Sequence, residues 1–260
     1  MKPVELHRYP RTPHLEGSAA FDDDDVQASF AAFAGRHVVV SEKIDGVNGA
    51  LSFTNQGRLL LQSRSRFLDH ELPLHQGGYA GFVEWAADNE DLLWPILGTR
   101  FVLFGEWLAA KHVVFYDALP SAFVELDVLD TATDTFLSTE RRRQMLRGLP
   151  LVSAPVLGAG SFASMSELLP LLGPSRFKTP SWRDELLYAI AEAEVSDAER
   201  FVRETDPSDD MEGLYLKLEE GGIVTARAKY VRPGYRPGFS TSNAAWQRSR
   251  MVKNRVLAQA

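Results

Sequence analysis

Cysteine is absent from the 260-residue chain, which excludes disulfides, thiolate metal ligands and cysteine nucleophiles. Long apolar runs are missing too, and no segment approaches the roughly 20 apolar residues needed to span a bilayer. The leading stretch, Met1 to Gly17, has no apolar signal-peptide core, so the expectation is a cytoplasmic protein without a membrane partner. Positive charge is in deficit: 28 Lys and Arg stand against 35 Asp and Glu, a formal charge of -7. This excludes a generalised basic coat for polyanions but leaves room for a local basic groove. Internal repeats and sustained heptads are lacking as well.

What is present is an ordinary soluble composition, 45% apolar and 24% charged, long enough to bury a substantial core. Basic residues gather at Arg64 and Arg66, at the RRR run 141–143, and in a C-terminal quarter holding Arg227, Lys229, Arg232, Arg236, Arg248, Arg250, Lys253 and Arg255. Residues 1–20 read as an extended leading segment, and the acidic run Asp22 to Asp25 as a helix start before 26–34. Short β patterns follow in HVVVSEK, NGALSFT and RLLLQSR, separated by glycine-containing turns. Residues 79–94 suit a helix ended by Pro95, after which RFVLFGEWL, HVVFYD and SAFVELDVLD resume strand patterning. STERRRQMLRGL, SMSELLPLL and residues 181–204 carry helical spacing. Two strands joined at Glu220-Gly221-Gly222 come next, and SNAAWQRSRMVKNRVLAQA reads as a terminal helix. The fold class expected is α+β, largely antiparallel, with helices inserted between its last strands.

One stretch breaks this pattern. VVVSEKIDGVNGALSF, Val38 to Phe53, interrupts an apolar run with Glu42, Lys43, Asp45 and Asn48. Neither G-x-x-x-x-G-K-[ST] nor G-x-G-x-x-G occurs there, so its glycines do not make a phosphate loop. Any chemistry falls to the Lys43 amine, a nucleophile once its environment lowers the free-lysine pKa of about 10.4. Burial and nearby cations act in that direction and Asp45 acts against it. The competing reading is an edge-strand lysine beside a hairpin.

Further charges interrupt strand patterns: Arg64, Glu106, Glu212, Lys217, Arg227 and Lys229. Such charges are costly unless they pair or converge on a ligand. Period two puts Arg227 and Lys229 on one face, able to grip a phosphate together. Glu212 and Lys217 fall on opposite faces of a regular strand, unless the chain bends at Gly213 or Glu212 precedes the strand. His14, His37 and His112 have no metal-ligand spacing, Phe104 reads as core, and Trp85, Trp94 and Trp107 as core or interface.

Taken in order, Lys43-Ile44-Asp45-Gly46-Val47-Asn48, Ser63-Arg64, Phe104-Gly105-Glu106, Glu212-Gly213-Leu214-Tyr215-Leu216-Lys217 and Arg227-Ala228-Lys229 resemble the motifs of the covalent nucleotidyltransferases. That superfamily comprises ATP-dependent DNA ligases, RNA ligases and GTP-dependent capping enzymes. A lone K-x-D-G is a weak signal; five motifs in order are a strong one. Within the superfamily the chain is most similar to the phage T4 RNA ligase 2-like family of ATP-dependent RNA ligases.

The resemblance implies an ATP-grasp-like nucleotidyltransferase fold. It implies one catalytic domain over 1–260, with a short basic helical extension from about 232 and no OB domain. The implied reaction joins 3′-hydroxyl and 5′-phosphate ends of a polynucleotide. Lys43 takes AMP from ATP, passes it to the 5′-phosphate, and the 3′-hydroxyl displaces it. Lys217, Arg227 and Lys229 are implied to stabilise phosphoryl charge, Arg64 to contact ribose or phosphate, Glu106 the ribose hydroxyls, and Asp45 to orient the lysine. Glu42 and Ile44 flank the nucleotide, while Glu212 and Asn48 approach Mg²⁺, or Mn²⁺, through water. The implied partner is nucleic acid, RNA ends or a nicked duplex, contacted by Arg232, Arg236, Trp246, Arg248 and Arg250. A monomer, with an end-healing or repair protein as a possible partner, completes the expectation. A minimal ATP-dependent DNA ligase and an inactive nucleic-acid-binding relative stay open as alternatives.

The chain departs from the family pattern in places. Arg227 replaces the first lysine of a Lys-x-Lys motif, changing an ammonium for a planar fork. Leu214 and Tyr215 are bulkier than the usual choices. Leu126 stands where phage-type enzymes place an adenine-stacking aromatic, with Phe123 nearby. After Lys229 only 31 residues remain.

Overall fold

Apolar alternation is the strongest local signal in the chain, and it is satisfied by one large sheet. The computed structural model describes residues 5–19, 27–68, 79, 81–235 and 251–257. The strands are β1 (His14–Leu15), β2 (Gln27–Ala28), β3 (His37–Lys43), β4 (Val47–Phe53), β5 (Leu59–Ser63), β6 (Phe101–Trp107), β7 (Phe123–Asp130), β8 (Thr135–Leu137), β9 (Val152–Ser153), β10 (Val156–Ser161), β11 (Gly213–Glu220) and β12 (Ile223–Val231). The helices are α1 (Phe82–Asp88), α2 (Glu90–Leu97), α3 (Thr139–Met145), α4 (Met165–Leu168), α5 (Trp182–Glu192) and α6 (Ala198–Arg203). An antiparallel path runs β10-β3-β11-β12-β8-β7-β6-β4-β5, and β1, β2 and β9 add parallel pairings at its margins. The α+β expectation holds. No helix among the described residues is long and apolar enough to cross a membrane.

The path has two halves, each with its own core. In β3, β11 and β12, Val38, Val40, Leu214, Leu216, Leu218, Ala228 and Tyr230 face a core shared with Phe30, Phe33 and Leu168. In β4 to β7, Leu51, Leu61, Leu103, Phe123 and Val128 pack beneath Phe82, Ala86, Leu93 and Leu97 of α1 and α2. Each fully buried Leu or Val contributes about 1.5–3 kcal/mol of transfer free energy. The alternate residues of both halves, Ser41, Lys43, Tyr215, Lys217 and Lys229 on one side and Asn48 and Glu106 on the other, line a cavity of about 740 Å³.

Several local expectations are corrected. Residues 20–26 lie outside the described residues, and the chain beyond them forms β2 and a 3-10 turn, Phe30–Ala32, instead of a helix. Residues 79–94 do not form one helix stopped by Pro95. The break falls at Asn89, whose side-chain amide donates to the Trp85 carbonyl at 2.7 Å, and Pro95 lies inside α2, where it removes one internal hydrogen bond. HVVFYD is a buried loop, because the amides of Val113 and Val114 are bonded to a side chain and not to a strand. β3 and β4 do not form a hairpin; β3 pairs with β10 and β11, and β4 with β5 and β6. The glycine- and serine-rich β10 is not legible as a strand from its sequence. Met251–Leu257 runs extended, bridging Ala110 and Leu119, and is not helical. Arg236, Trp246, Arg248 and Arg250 lie outside the described residues.

Gly213 opens β11 opposite Lys43, and a Cβ there would overlap the Tyr230 carbonyl of the neighbouring strand. Gly213→Ala is expected to destabilise the fold by about 1–3 kcal/mol, the usual cost of overpacking. A lowered denaturant midpoint with unchanged m-value would bear this out, and an unchanged midpoint would contradict it.

Candidate active site

Lys43 is the last residue of β3, with its side chain 22% exposed at the cavity. Its Nζ lies 2.6 Å from Glu212 Oε1. Glu212 immediately precedes β11, outside the strand alternation, so it reaches the cavity that Lys217 also lines. Burial pulls the Lys43 ammonium down, but Glu212, with Asp45 and Glu106 behind it, outweighs burial and holds its pKa above the ordinary lysine value. Of the opposing influences legible in the sequence, the carboxylates therefore prevail over burial at this amine. Burial pushes Glu212 up to about 7 and Glu106 up to about 8, with Lys43 opposing and Asp45 adding to both.

Asp45 does not face the lysine alone. Its Oδ2 accepts from the amides of Val113 at 2.8 Å and Val114 at 2.7 Å, and its own amide donates to the Tyr116 hydroxyl at 2.8 Å. The following glycine has a steric cause: a Cβ on Gly46 would lie 2.8 Å from both Glu106 Cγ and the Trp107 carbonyl oxygen. Ile44, Asp45 and Gly46 thus carry the chain from one half of the sheet to the other. Asn48, opposite Glu106 in the β4–β6 register, donates to the Gly105 carbonyl at 3.3 Å and also bonds the Glu106 carboxyl.

A wall of cations closes the other side. Lys217 Nζ lies 2.8 Å from Asp127 Oδ1 and 2.5 Å from the Leu126 carbonyl. Arg227 approaches the same carboxylate at 3.4 Å and lies 4.1 Å from the Phe136 ring centroid. Burial raises Asp127, but Lys217, Arg227 and Arg142 together hold it below the usual carboxylate range. Burial brings Lys217 down to about 8, against the pull of Asp127 and with the help of Arg142. Lys229 lines the cavity; Arg227 does not, so the pair expected to grip phosphate together is divided between the cavity and its supporting wall.

Glu42 lines the cavity with its carboxyl already bonded to Ser175 Oγ at 2.5 Å and the Arg176 amide at 3.0 Å. Ile44 and exposed Arg64 line it as well. Arg232 does not; it is buried against Asp206 and the Met211 carbonyl, which removes it from the expected nucleic-acid set. Leu126 sits at an irregularity between β6 and β7 that frees its carbonyl for Lys217 and Arg142, and its side chain reaches the cavity. Phe123 is buried on the outer face against Trp85 and Phe82, so it offers no stacking surface to a ligand. Phe104 is core as expected, as is Trp107, while Trp94 stays 37% exposed.

Sequence reasoning missed Arg142, whose guanidinium bonds Glu125, and the leading segment Tyr9 to Thr12, which lines the cavity. Tyr9 donates to Asp127 Oδ2 at 2.5 Å, and the Tyr215 hydroxyl lies 3.1 Å from Tyr9 and 3.0 Å from Thr12 Oγ1. A helical RRR run with one buried member is the available signal for Arg142; nothing in the leading segment marks it. Among the described residues, no group of three or more acidic or histidine side chains is placed to hold a metal ion. Glu212 Oε2, buried and with no hydrogen-bond partner among the described residues, fits a site in which one carboxylate and ligand phosphates share a hydrated divalent ion.

A family model described as RNA ligase matches residues 36–231. No curated protein matches the chain at a significant level. Among solved structures, a Naegleria gruberi RNA ligase variant with ATP and Mn is similar with a TM-score of 0.50 and 14% identity, over 78% of this chain and 51% of that one. A variant with AMP and Mn gives 0.51 and 14% over the same shares, 78% and 51%. A third, with ATP and Mn, gives 0.50 and 14% over 88% and 61%. The chain covers roughly half to three fifths of the length of these neighbours. At this identity the likeness is one of fold.

The raised carboxyl at Glu106 has a consequence for stability. An unfolded glutamate releases its proton near 4.5, while folded Glu106 keeps it to about 8. Between these values the folded state binds more protons, so this stabilisation is complete below about 4.5 and is lost as pH rises through about 8. Glu106→Gln should flatten the decline in denaturation midpoint between pH 5 and pH 8.5, roughly the window those values bracket. A decline equally steep in the variant would assign it elsewhere.

Proposed function

The chain belongs to the RNA ligase family, and from that premise we propose that it is an ATP-dependent polynucleotide ligase acting on RNA, with Lys43 as its covalent nucleophile. The observation that carries the reading is the meeting of Lys43 and Glu212 at 2.6 Å in a cavity of about 740 Å³, within the range of small-molecule sites. The motif order and the cavity between the sheet halves support the ATP-grasp-like assignment.

In this reading Lys43 Nζ attacks the α-phosphorus of ATP. A P–N bond forms as the bond to the bridging oxygen breaks and pyrophosphate leaves. Glu212, its Oε1 2.6 Å from Nζ, is the base positioned to take the proton the ammonium must lose. Lys229 and Lys217 supply positive charge to the transferring phosphoryl group, and Asp127 and Arg142 hold Lys217 in place. Glu106 and Asn48, paired across β4 and β6, offer hydrogen bonds to ribose hydroxyls, and Arg64 stands at the mouth. An oxygen of the polynucleotide 5′-phosphate then displaces Nζ to form a phosphoanhydride with AMP. The 3′-hydroxyl attacks that 5′-phosphorus, a phosphodiester forms, and AMP leaves. Glu212, with Asn48 through water, would hold a divalent ion, Mg²⁺ or Mn²⁺; when bound it neutralises charge on the triphosphate. The neighbours solved with ATP, AMP and Mn support this choice of ligands.

Incubation with α-labelled ATP and Mg²⁺ is expected to label the protein at Lys43, and Lys43→Ala to abolish the label. Glu212→Gln should slow labelling by about 10²–10⁴-fold, the usual loss with a general base. Label from GTP alone, or none after removal of pre-bound AMP, would sink the reading. Sealing of matched nicks with RNA or DNA on the 3′ side separates an RNA ligase from a DNA ligase; preference for an all-DNA 3′ side would move the assignment.

A further inference from the structure

Met251–Leu257, expected within a basic, nucleic-acid-gripping helix, lies extended beside the loop of residues 108–119. Asn254, 6% exposed, is its centre. Its Nδ2 donates to the Leu108 carbonyl at 2.8 Å and the Ala110 carbonyl at 3.4 Å, and its Oδ1 accepts from the Tyr116 amide at 2.9 Å. Backbone bonds flank it: Asn254 N to Ala109 O at 3.1 Å, Arg255 N to Tyr116 O at 2.9 Å, and Lys111 N to Val252 O at 2.9 Å. One amide side chain therefore joins both arms of a loop that is not held in the sheet. That loop supplies the Val113 and Val114 amides and the Tyr116 hydroxyl, the three groups bonded to Asp45.

We propose that Asn254 is a positioning residue for Lys43: by tying both arms of the 108–119 loop, it fixes the three groups that hold Asp45, two residues from the nucleophile. The inference rests on Lys43 being that nucleophile. Removing the amide leaves two buried carbonyls and one buried N–H short of a partner, and the loop can relieve them only by moving. Asp45 moves with it. Displacement of about 1 Å at a reacting group costs on the order of 10²-fold in rate.

The test uses the full chain and two reactions: adduct formation from ATP, which needs Lys43, and sealing of a strand carrying a pre-adenylylated 5′ end, which bypasses it. Asn254→Ala is expected to slow adduct formation by about 10- to 100-fold with the ATP KM within about twofold, while pre-adenylylated sealing is kept. Tyr116→Phe, which removes the hydroxyl that accepts from Asp45, should show the same split. Arg255→Ala, which loses only surface ion pairs with Glu185 and Glu192, should leave the adduct rate unchanged. If Asn254→Ala does not fold, Asn254→Asp, which keeps the acceptor for Tyr116 but not the donors, is judged by the same split. Wild-type adduct rates in the folded variant, or equal losses in both reactions, overturn the inference. Absence of any adduct from the wild-type protein would instead overturn Lys43 as nucleophile.

Discussion

Much of the site depends on the register in which β3 lies against β11. Antiparallel pairing sets Lys43 opposite Gly213 and Tyr215 opposite Ser41. Because side chains alternate with period two, that alignment sends Lys43, Tyr215 and Lys217 to the cavity and the leucines between them to the core. A slip of one residue would exchange the two sets, burying charges in hydrocarbon and exposing the leucines to the cavity. Gly213 keeps the alignment close, and Glu212, just outside the ladder, is left free to turn toward the lysine.

Charge balance results from this placement. The cavity brings two carboxyls with raised pKa values, Glu106 and Glu212, close to Lys43, while a separate knot of Lys217, Arg227 and Arg142 surrounds Asp127. Neither group is cheap to bury, since breaking such a pair leaves an uncompensated charge in a low dielectric. The arrangement puts a proton acceptor, Glu212, beside the nucleophile and surplus positive charge farther along the same sheet face. An anionic ligand placed between them meets both without any group having to travel.

The long alternating strands and the order of the charged motifs are legible in the sequence, because period-two patterning and residue type report directly on sheet faces. Glu212 and Lys217 are awkward on spacing alone, and the structure resolves them through Glu212 lying before the strand. Features governed by contacts distant in sequence escape such reasoning. Val113 and Val114 look like strand residues, yet their amides serve Asp45. Pro95 looks like a stop, yet Asn89 makes the break. Arg227 shares a face with Lys229, yet Asp127, one hundred residues away, takes it out of the cavity lining. β10 carries little strand propensity of its own and is fixed by the edge of β3 it covers.

Ile44, Asp45 and Gly46 join two strands that belong to different halves of the sheet, and the four Cα steps from Lys43 to Val47 reach about 14 Å at most. That short link carries the Lys43 amine at one end and joins strands from both walls of the cavity, so the position of the nucleophile is tied to both walls at once.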